Sequence, residues 1–173
     1  MKLIKTKFLM EDTQMNLEFT VQTRIQKPVA EVFDAVYNPA KMVKYFAQGS
    51  VKGAMDAGST VYWQFAHVKS DPIPVQVKTM EKNKRIVFEW HANEHDKQEV
   101  QRTESYTTTV EMTFESLSDN ETLVKIRESG WKENAGALAG SYQNCSGWTQ
   151  MLASLKSWIE LGKALGMDGC NHS

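Results

Sequence analysis

Residues 16–25, NLEFTVQTRI, alternate along their length. Leu17, Phe19, Val21, Thr23 and Ile25 share one face, and Glu18, Thr20, Gln22 and Arg24 share the other. A period of two predicts a strand with one buried face. Pro28 ends it, because proline lacks an amide proton, fits a first helical turn and pushes Lys27 to an extended conformation. Val29, Val32, Phe33 and Val36 then recur at helical spacing, which predicts a short amphipathic helix over residues 28–37. Asn38 is a capping residue and Pro39 suits a first turn, so a second short helix follows to about Phe46.

Period two then returns. Turns at Gly49, Gly53 and Gly58 lead into STVYWQFAH, with Val61, Trp63 and Phe65 on one face. IPVQVKTME groups Ile73, Val75 and Val77, and RIVFEWH groups Ile86, Phe88 and Trp90. TESYTTTVEMTFES aligns Tyr106, Thr108, Val110, Met112 and Phe114, and LVKIRES aligns Val124 and Ile126. Short turns between these runs predict hairpin-connected strands of an antiparallel meander. The polar run ANEHDKQEVQR, residues 92–102, reads as a solvated loop or strand extension.

The last pattern is helical. Trp148, Met151, Leu152, Leu155, Trp158 and Ile159 form one stripe, with Ser141, Asn144 and Cys145 near it one or two turns earlier. This predicts a helix starting near Leu138 or Ser141 and running to about Leu165, stopped by Gly166 and Gly169. A sheet with one apolar face must be covered, and only this helix is long enough to do it. The predicted fold class is α+β: a curved antiparallel sheet of about six or seven strands wrapped around a long C-terminal helix, with two short helices after the first strand. We expect an N-terminal extension or strand start over residues 1–15, a single domain over 16–165 and a mobile tail over 166–173.

Pattern and order together resemble a known family. The sequence I-x-x-P-x-x-x-V-F-x-A is carried by Ile25, Pro28, Val32, Phe33 and Ala35. A later G-W-x-x-x-L-x-x-L is carried by Gly147, Trp148, Met151 or Leu152, and Leu155, and Ser129 to Trp131 (SGW) matches the end of the last strand. Over about Asn16 to Leu165 the chain is similar to the SRPBCC or START-like superfamily, and most to the branch named for the activator of heat-shock protein 90 ATPase homologues. The resemblance implies a helix-grip fold with a hydrophobic cavity between sheet and helix. That fold hosts lipid carriers, hormone receptors and cyclases, so it does not imply one function. The eukaryotic activators carry a further N-terminal domain, for which a chain of 173 residues has no room.

Composition narrows the partners. A net charge of -1 supplies no excess of basic groups for a phosphate backbone, so nucleic acid is not expected. No stretch reaches the apolar length of a membrane span, and the lysine-broken N-terminus has no signal-peptide core, so the chain reads as cytoplasmic with no membrane insertion. Five Trp, seven Phe and nine Met supply adaptable apolar surface, which fits either a filled core or a pocket lining. The ligand-binding expectation rests on Trp63, Phe65, Val75, Phe88, Trp90, Tyr106, Thr108, Val110, Met112, Ile126, Asn144 and Trp148, facing a hydrophobic small molecule. A homodimer is compatible with this reading.

Candidate chemistry is sparse. The chain holds no G-x-S-x-G elbow, phosphate loop, H-E-x-x-H or paired C-x-x-C, and we expect no cofactor and no metal. His91 and His95 have metal-ligand spacing only on a helix, and they follow a strand. Cys170 and His172 lack further zinc ligands. Continuing the alternation from Val124 and Ile126 turns Glu128 inward, which makes it the one catalytic candidate, as an acid or base. Because charged residues are rarely fully buried, the expectation is a solvated carboxylate at the mouth, with Glu104, Tyr106 and Thr108 as a polar rim. Binding is favoured over a cyclase or hydrolase working in the same cavity, and over an interaction module using the outer surface.

Overall fold

Alternation and helical spacing become elements in the predicted order. The structure, a computed structural model, describes residues 16–66, 71–92 and 105–165. Strand β1 (Phe19–Ile25) leads through Pro28 into α1 (Val29–Tyr37). Asn38 Oδ1 accepts from the Ala40 amide and starts α2 (Pro39–Met42). Six strands follow: β2 (Ser50–Lys52), β3 (Thr60–Gln64), β4 (Ile73–Glu81), β5 (Arg85–His91), β6 (Thr107–Ser118) and β7 (Glu121–Ser129). The chain then forms α3 (Ala135–Leu161).

The strands make one seven-stranded antiparallel sheet in the order β1-β7-β6-β5-β4-β3-β2. It is a meander from β2 to β7, closed by β1 on the free edge of β7, the pairing of residues 16–25 with 122–129 that the family resemblance and their matching apolar faces together imply. The inward residues form the core: Val61, Trp63, Val75, Val77, Ile86, Phe88, Val110, Met112, Phe114, Val124 and Ile126 are all buried. Trp148, Met151, Leu152 and Leu155 of α3 close over them. This is the α+β helix-grip fold. The outward face carries ion pairs such as Lys78–Glu89 and Arg85–Glu111, which is the polar half of the alternation.

Several boundaries differ from the sequence reading. β2 lies where only turns were expected, because three residues are too short to show a period. The second helix stops at Met42, after which hydrogen-bonded turns, closed by the Phe46 amide on the Met42 carbonyl at 3.0 Å, carry Tyr45 and Phe46 inward. β3 stops at Gln64, before Phe65. The long helix starts at Ala135, earlier than expected, because Asn134 Oδ1 caps the Ala137 amide at 2.7 Å. Its first turns bury Gly136, Ala137, Gly140 and Ser141, small residues that carry no strong apolar signal. It ends at Leu161, not Leu165, because Gly162 adopts φ 72° and its amide closes onto the Trp158 carbonyl.

The C-terminal end of α3 is clasped to the end of β1. Glu160 accepts from the Gln26 amide at 2.6 Å, and Lys156 donates both to Glu160 at 2.7 Å and to the Arg24 carbonyl at 2.6 Å. Partial burial alone would raise the Glu160 carboxyl, but the Gln26 amide and the Lys156 ammonium outweigh it and hold the pKa below its ordinary value. A carboxylate depressed in the folded state stabilises fully above its unfolded pKa, and that contribution is lost as pH falls through the folded value. Acidification below about pH 4 should therefore cost the wild type more stability than Glu160→Gln, read by urea unfolding across pH. The buried stripe gives a second expectation. Leu155 is 0% exposed, and Leu155→Ala should cost about 2–5 kcal/mol. Leu161 is 73% exposed, and Leu161→Ala should stay within about 0.5 kcal/mol in the same urea measurement.

Candidate functional site

Alternation along β7 carries Val124 and Ile126 inward, and the next inward position is Glu128. Gly130, at φ 88°, then turns the chain out of the strand toward α3, a backbone conformation that favours glycine. Glu128 stands opposite Val110 of β6 and Phe19 of β1, so both neighbours in its row are apolar. It is 0% exposed. The expectation of a solvated carboxylate at the mouth is therefore corrected. The reason is that four side chains converge on it and replace water.

Thr108 Oγ1 donates to Glu128 Oε1 at 2.6 Å. Trp90 Nε1 donates to the same oxygen at 3.0 Å. Trp148 Nε1 donates to Oε2 at 2.8 Å. The Asn144 amide lies 3.0 Å from Oε1 and 3.3 Å from Oε2. Geometry delivers these groups from three elements. Thr108 is a diagonal neighbour on β6 and faces Trp90 across the β5–β6 ladder. Asn144 and Trp148 are one turn apart on α3 and present the same face. Two indoles and an amide nitrogen only donate, so the arrangement suits an acceptor-only carboxylate. No cation pairs with Glu128 among the described residues.

Aromatic rings pack around this group. Trp148 lies 5.2 Å from Trp90, 6.1 Å from Phe88 and 6.4 Å from Trp63 between ring centroids. Phe46 stacks on Trp148 at 5.6 Å and meets Trp63 and Phe65 edge to face at 5.2 and 5.1 Å. The rings expected to line a space thus touch one another. Thr108, Val75, Val110, Met112 and Ile126 are fully buried in the same region, and Phe65, Trp90 and Asn144 are partly exposed at its margin. The Trp63 indole N–H is buried without an acceptor.

Tyr106 is the residue the structure sets apart. It packs with Ala92, Trp131 and Ala137, accepts from the Lys132 amide at 3.2 Å, and has the Lys132 ammonium 4.7 Å from its ring centre. Sequence reasoning missed Phe46, whose signal was only the apolar run around it after α2. It also missed the pairing itself: Trp90, Thr108, Asn144 and Trp148 were read as separate lining residues. His91 Nδ1 faces the Tyr106 carbonyl at 3.1 Å, while His67, His95, His172, Glu104 and Cys170 lie outside the described residues. Among the described residues no three His, Cys, Asp or Glu side chains group as metal ligands, and no helix is long and apolar enough to cross a membrane.

Thr108→Val keeps the shape of the side chain and removes the shortest bond to the carboxylate. It should cost about 1.5–3 kcal/mol, measured by urea unfolding. A change under about 0.5 kcal/mol would show that the hydroxyl does not help to hold the buried charge.

Comparison with known proteins agrees with this architecture. A family model described as Activator of Hsp90 ATPase homolog 1-like protein matches residues 26–160. No curated protein matched the chain in a sequence search. Among solved structures, the protein SSP2350 from Staphylococcus saprophyticus superposes with a TM-score of 0.68 at 19% identity, covering 87% of this chain and 96% of that one. The Aha1 dimer from Colwellia psychrerythraea gives 0.67 at 20% identity, covering 86% and 99%. An HSP90 activator from Plasmodium falciparum gives 0.61 at 18% identity, covering 84% and 96%. At these identities the likeness is one of fold.

Proposed function

Since the chain belongs to the family of activator of Hsp90 ATPase homolog 1-like proteins, we propose that it is a small-molecule-binding protein of the START-like superfamily, holding a hydrophobic or amphipathic ligand. One observation carries this reading. A fully buried carboxylate sits under a cluster of aromatic rings, and two of its four partners, Trp90 and Asn144, are partly exposed. Binding sites for small molecules combine apolar and aromatic walls with a few convergent polar groups, and this region of the described residues has that combination. Because the inner rings are already in contact, the ligand lies against the partly exposed rings of Trp90 and Phe65 and reorders them, with Asn144 beside its polar end.

The same geometry argues against proton transfer as the task of Glu128. Both its oxygens are engaged by donors, so in this arrangement it holds side chains in place. We further take residues 16–165 as one domain, working in the cytoplasm, and a homodimer as its assembly, by analogy with the dimeric Colwellia protein. A second reading is a chaperone-linked interaction module. The family description and the Plasmodium HSP90 activator favour it, and it would use an outer surface in place of the aromatic cluster.

Tryptophan fluorescence separates the two, because Trp63, Trp90 and Trp148 all belong to the cluster. Titration with fatty acids, flavonoids and polyketide-like aromatics should give a saturable change and a raised melting temperature for at least one class. Trp90→Ala should weaken that response about tenfold, since a lost aromatic contact is worth about 1 kcal/mol or more. If neither fluorescence nor melting temperature responds to any compound, the binding reading fails and the interaction module takes its place.

A further inference from the structure

We infer that the site selects an amphiphile with an alkylammonium head over neutral or anionic ones, an inference that rests on the ligand-binding reading and names its ligand class. The first ground is charge. Glu128 is 0% exposed, and all its hydrogen-bond partners are neutral: a threonine hydroxyl, two indoles and an asparagine amide. Donors of this kind replace the hydration of a carboxylate but do not cancel its charge. A negative centre with no cation beside it among the described residues is left beneath the rings, in surroundings where charges interact far more strongly than in water.

The second ground is the rings themselves. Trp90 and Trp148 bond the carboxylate, Phe46 stacks on Trp148 and Phe65 meets Phe46 edge to face, and Trp90 and Phe65 are the partly exposed ones. The faces of tryptophan rings attract alkylammonium groups through the ring quadrupole, and they offer nothing comparable to a carboxylate. Both N–H groups point at Glu128, and because Trp148 is buried and stacked against Phe46, Trp90 is the carboxylate-bound ring with exposure left to meet a cation.

The third ground is access. Asn144 is the only non-aromatic partner of Glu128 with solvent exposure, and its amide spans both oxygens at 3.0 and 3.3 Å. A primary ammonium supplies the same donor chemistry plus a full charge and can take the place of the Asn144 amide, while a quaternary ammonium brings the charge alone. In either case Thr108, Trp90 and Trp148 keep both carboxylate oxygens bonded. A carboxylate or sulfate head in that position would face Glu128 as a like charge. A hydroxyl head would gain the hydrogen bond alone.

The test holds chain length constant and varies the head. Dodecylamine, dodecyltrimethylammonium, dodecanol and dodecanoate, each below its micellar concentration, are titrated into the full chain and followed by calorimetry and tryptophan fluorescence. The two ammonium probes should bind at least about tenfold more tightly than the alcohol, with dodecanoate weakest. Glu128→Gln should bring the ammonium probes down to the level of the alcohol while alcohol binding persists. Should that variant fail to fold, Trp90→Leu removes the ring and keeps the charge, and it should weaken ammonium binding more than alcohol binding. Dodecylphosphocholine separates two sources of the same chemistry. Binding equal to dodecyltrimethylammonium points to a lipid headgroup and weaker binding to a free amine, and both uphold the inference. Equal binding of all heads, or a preference for dodecanoate, overturns it and leaves the ligand-binding reading in place. If no head group binds while flavonoids or polyketide-like aromatics do, it is likewise overturned. If nothing from either panel binds, both readings fall.

Discussion

A carboxylate that is 0% exposed and has no cation partner among the described residues is the constraint on which the rest of this structure depends. Removing such a group from water costs several kcal/mol even after the surroundings relax. The chain meets that cost with directional bonds drawn from elements far apart in sequence: Trp90 from β5, Thr108 from β6, and Asn144 and Trp148 from α3, all converging on Glu128 of β7. Apolar packing alone tolerates sliding and rotation of a helix over a sheet. A carboxylate that must keep these four partners does not. It ties the rotation of α3 to the register of β5, β6 and β7, since a slip of one residue would turn Glu128 to the outer face and strand its donors.

The aromatic cluster is the non-directional counterpart of this clamp. Edge-to-face and stacked contacts among Phe46, Trp63, Phe65, Phe88, Trp90 and Trp148 fill the region between helix and sheet. Trp90 and Trp148 belong to both systems: their rings pack in the cluster and their N–H groups hold the carboxylate. Anything that shifts either ring is therefore felt at Glu128. This coupling of a packing contact to a buried charge is what makes the region a candidate for recognition, beyond its role in filling the core.

The fold was legible because its signals are periodic. Alternation from Leu17 to Ile25 and from Tyr106 to Phe114 exposes the faces of the sheet, and the stripe from Trp148 to Ile159 exposes the inner side of α3. What lacks a period was not legible. β2 is three residues long, and the first turns of α3 bury Gly136, Ala137 and Gly140, residues too small to mark a face. At the site, alternation placed Glu128, Thr108 and Trp90 on the inner face. Burial of the charge was misjudged because it depends on where Asn144 and Trp148 fall along a helix that meets the strand only in three dimensions. Phe46 was out of reach for a similar reason, since it enters the cluster from the turns that follow α2, where no period marks a face.

The position of β1 in the sheet has a consequence for the order in which the molecule assembles. Strands β2 to β7 are joined in sequence, so each pairs with a neighbour already close along the chain. β1 alone must find a partner from the opposite end: Glu18 and Arg127, which bond across the seam, are separated by 109 residues. Closing so long a loop carries an entropic cost that local hairpins avoid, and non-local pairings are correspondingly slow to form. Phe19, the residue directly across from Glu128, arrives with that strand. One wall of the buried charge is thus supplied by the most distant pairing in the sheet. The surroundings of the carboxylate are complete only once the two ends of the domain have met.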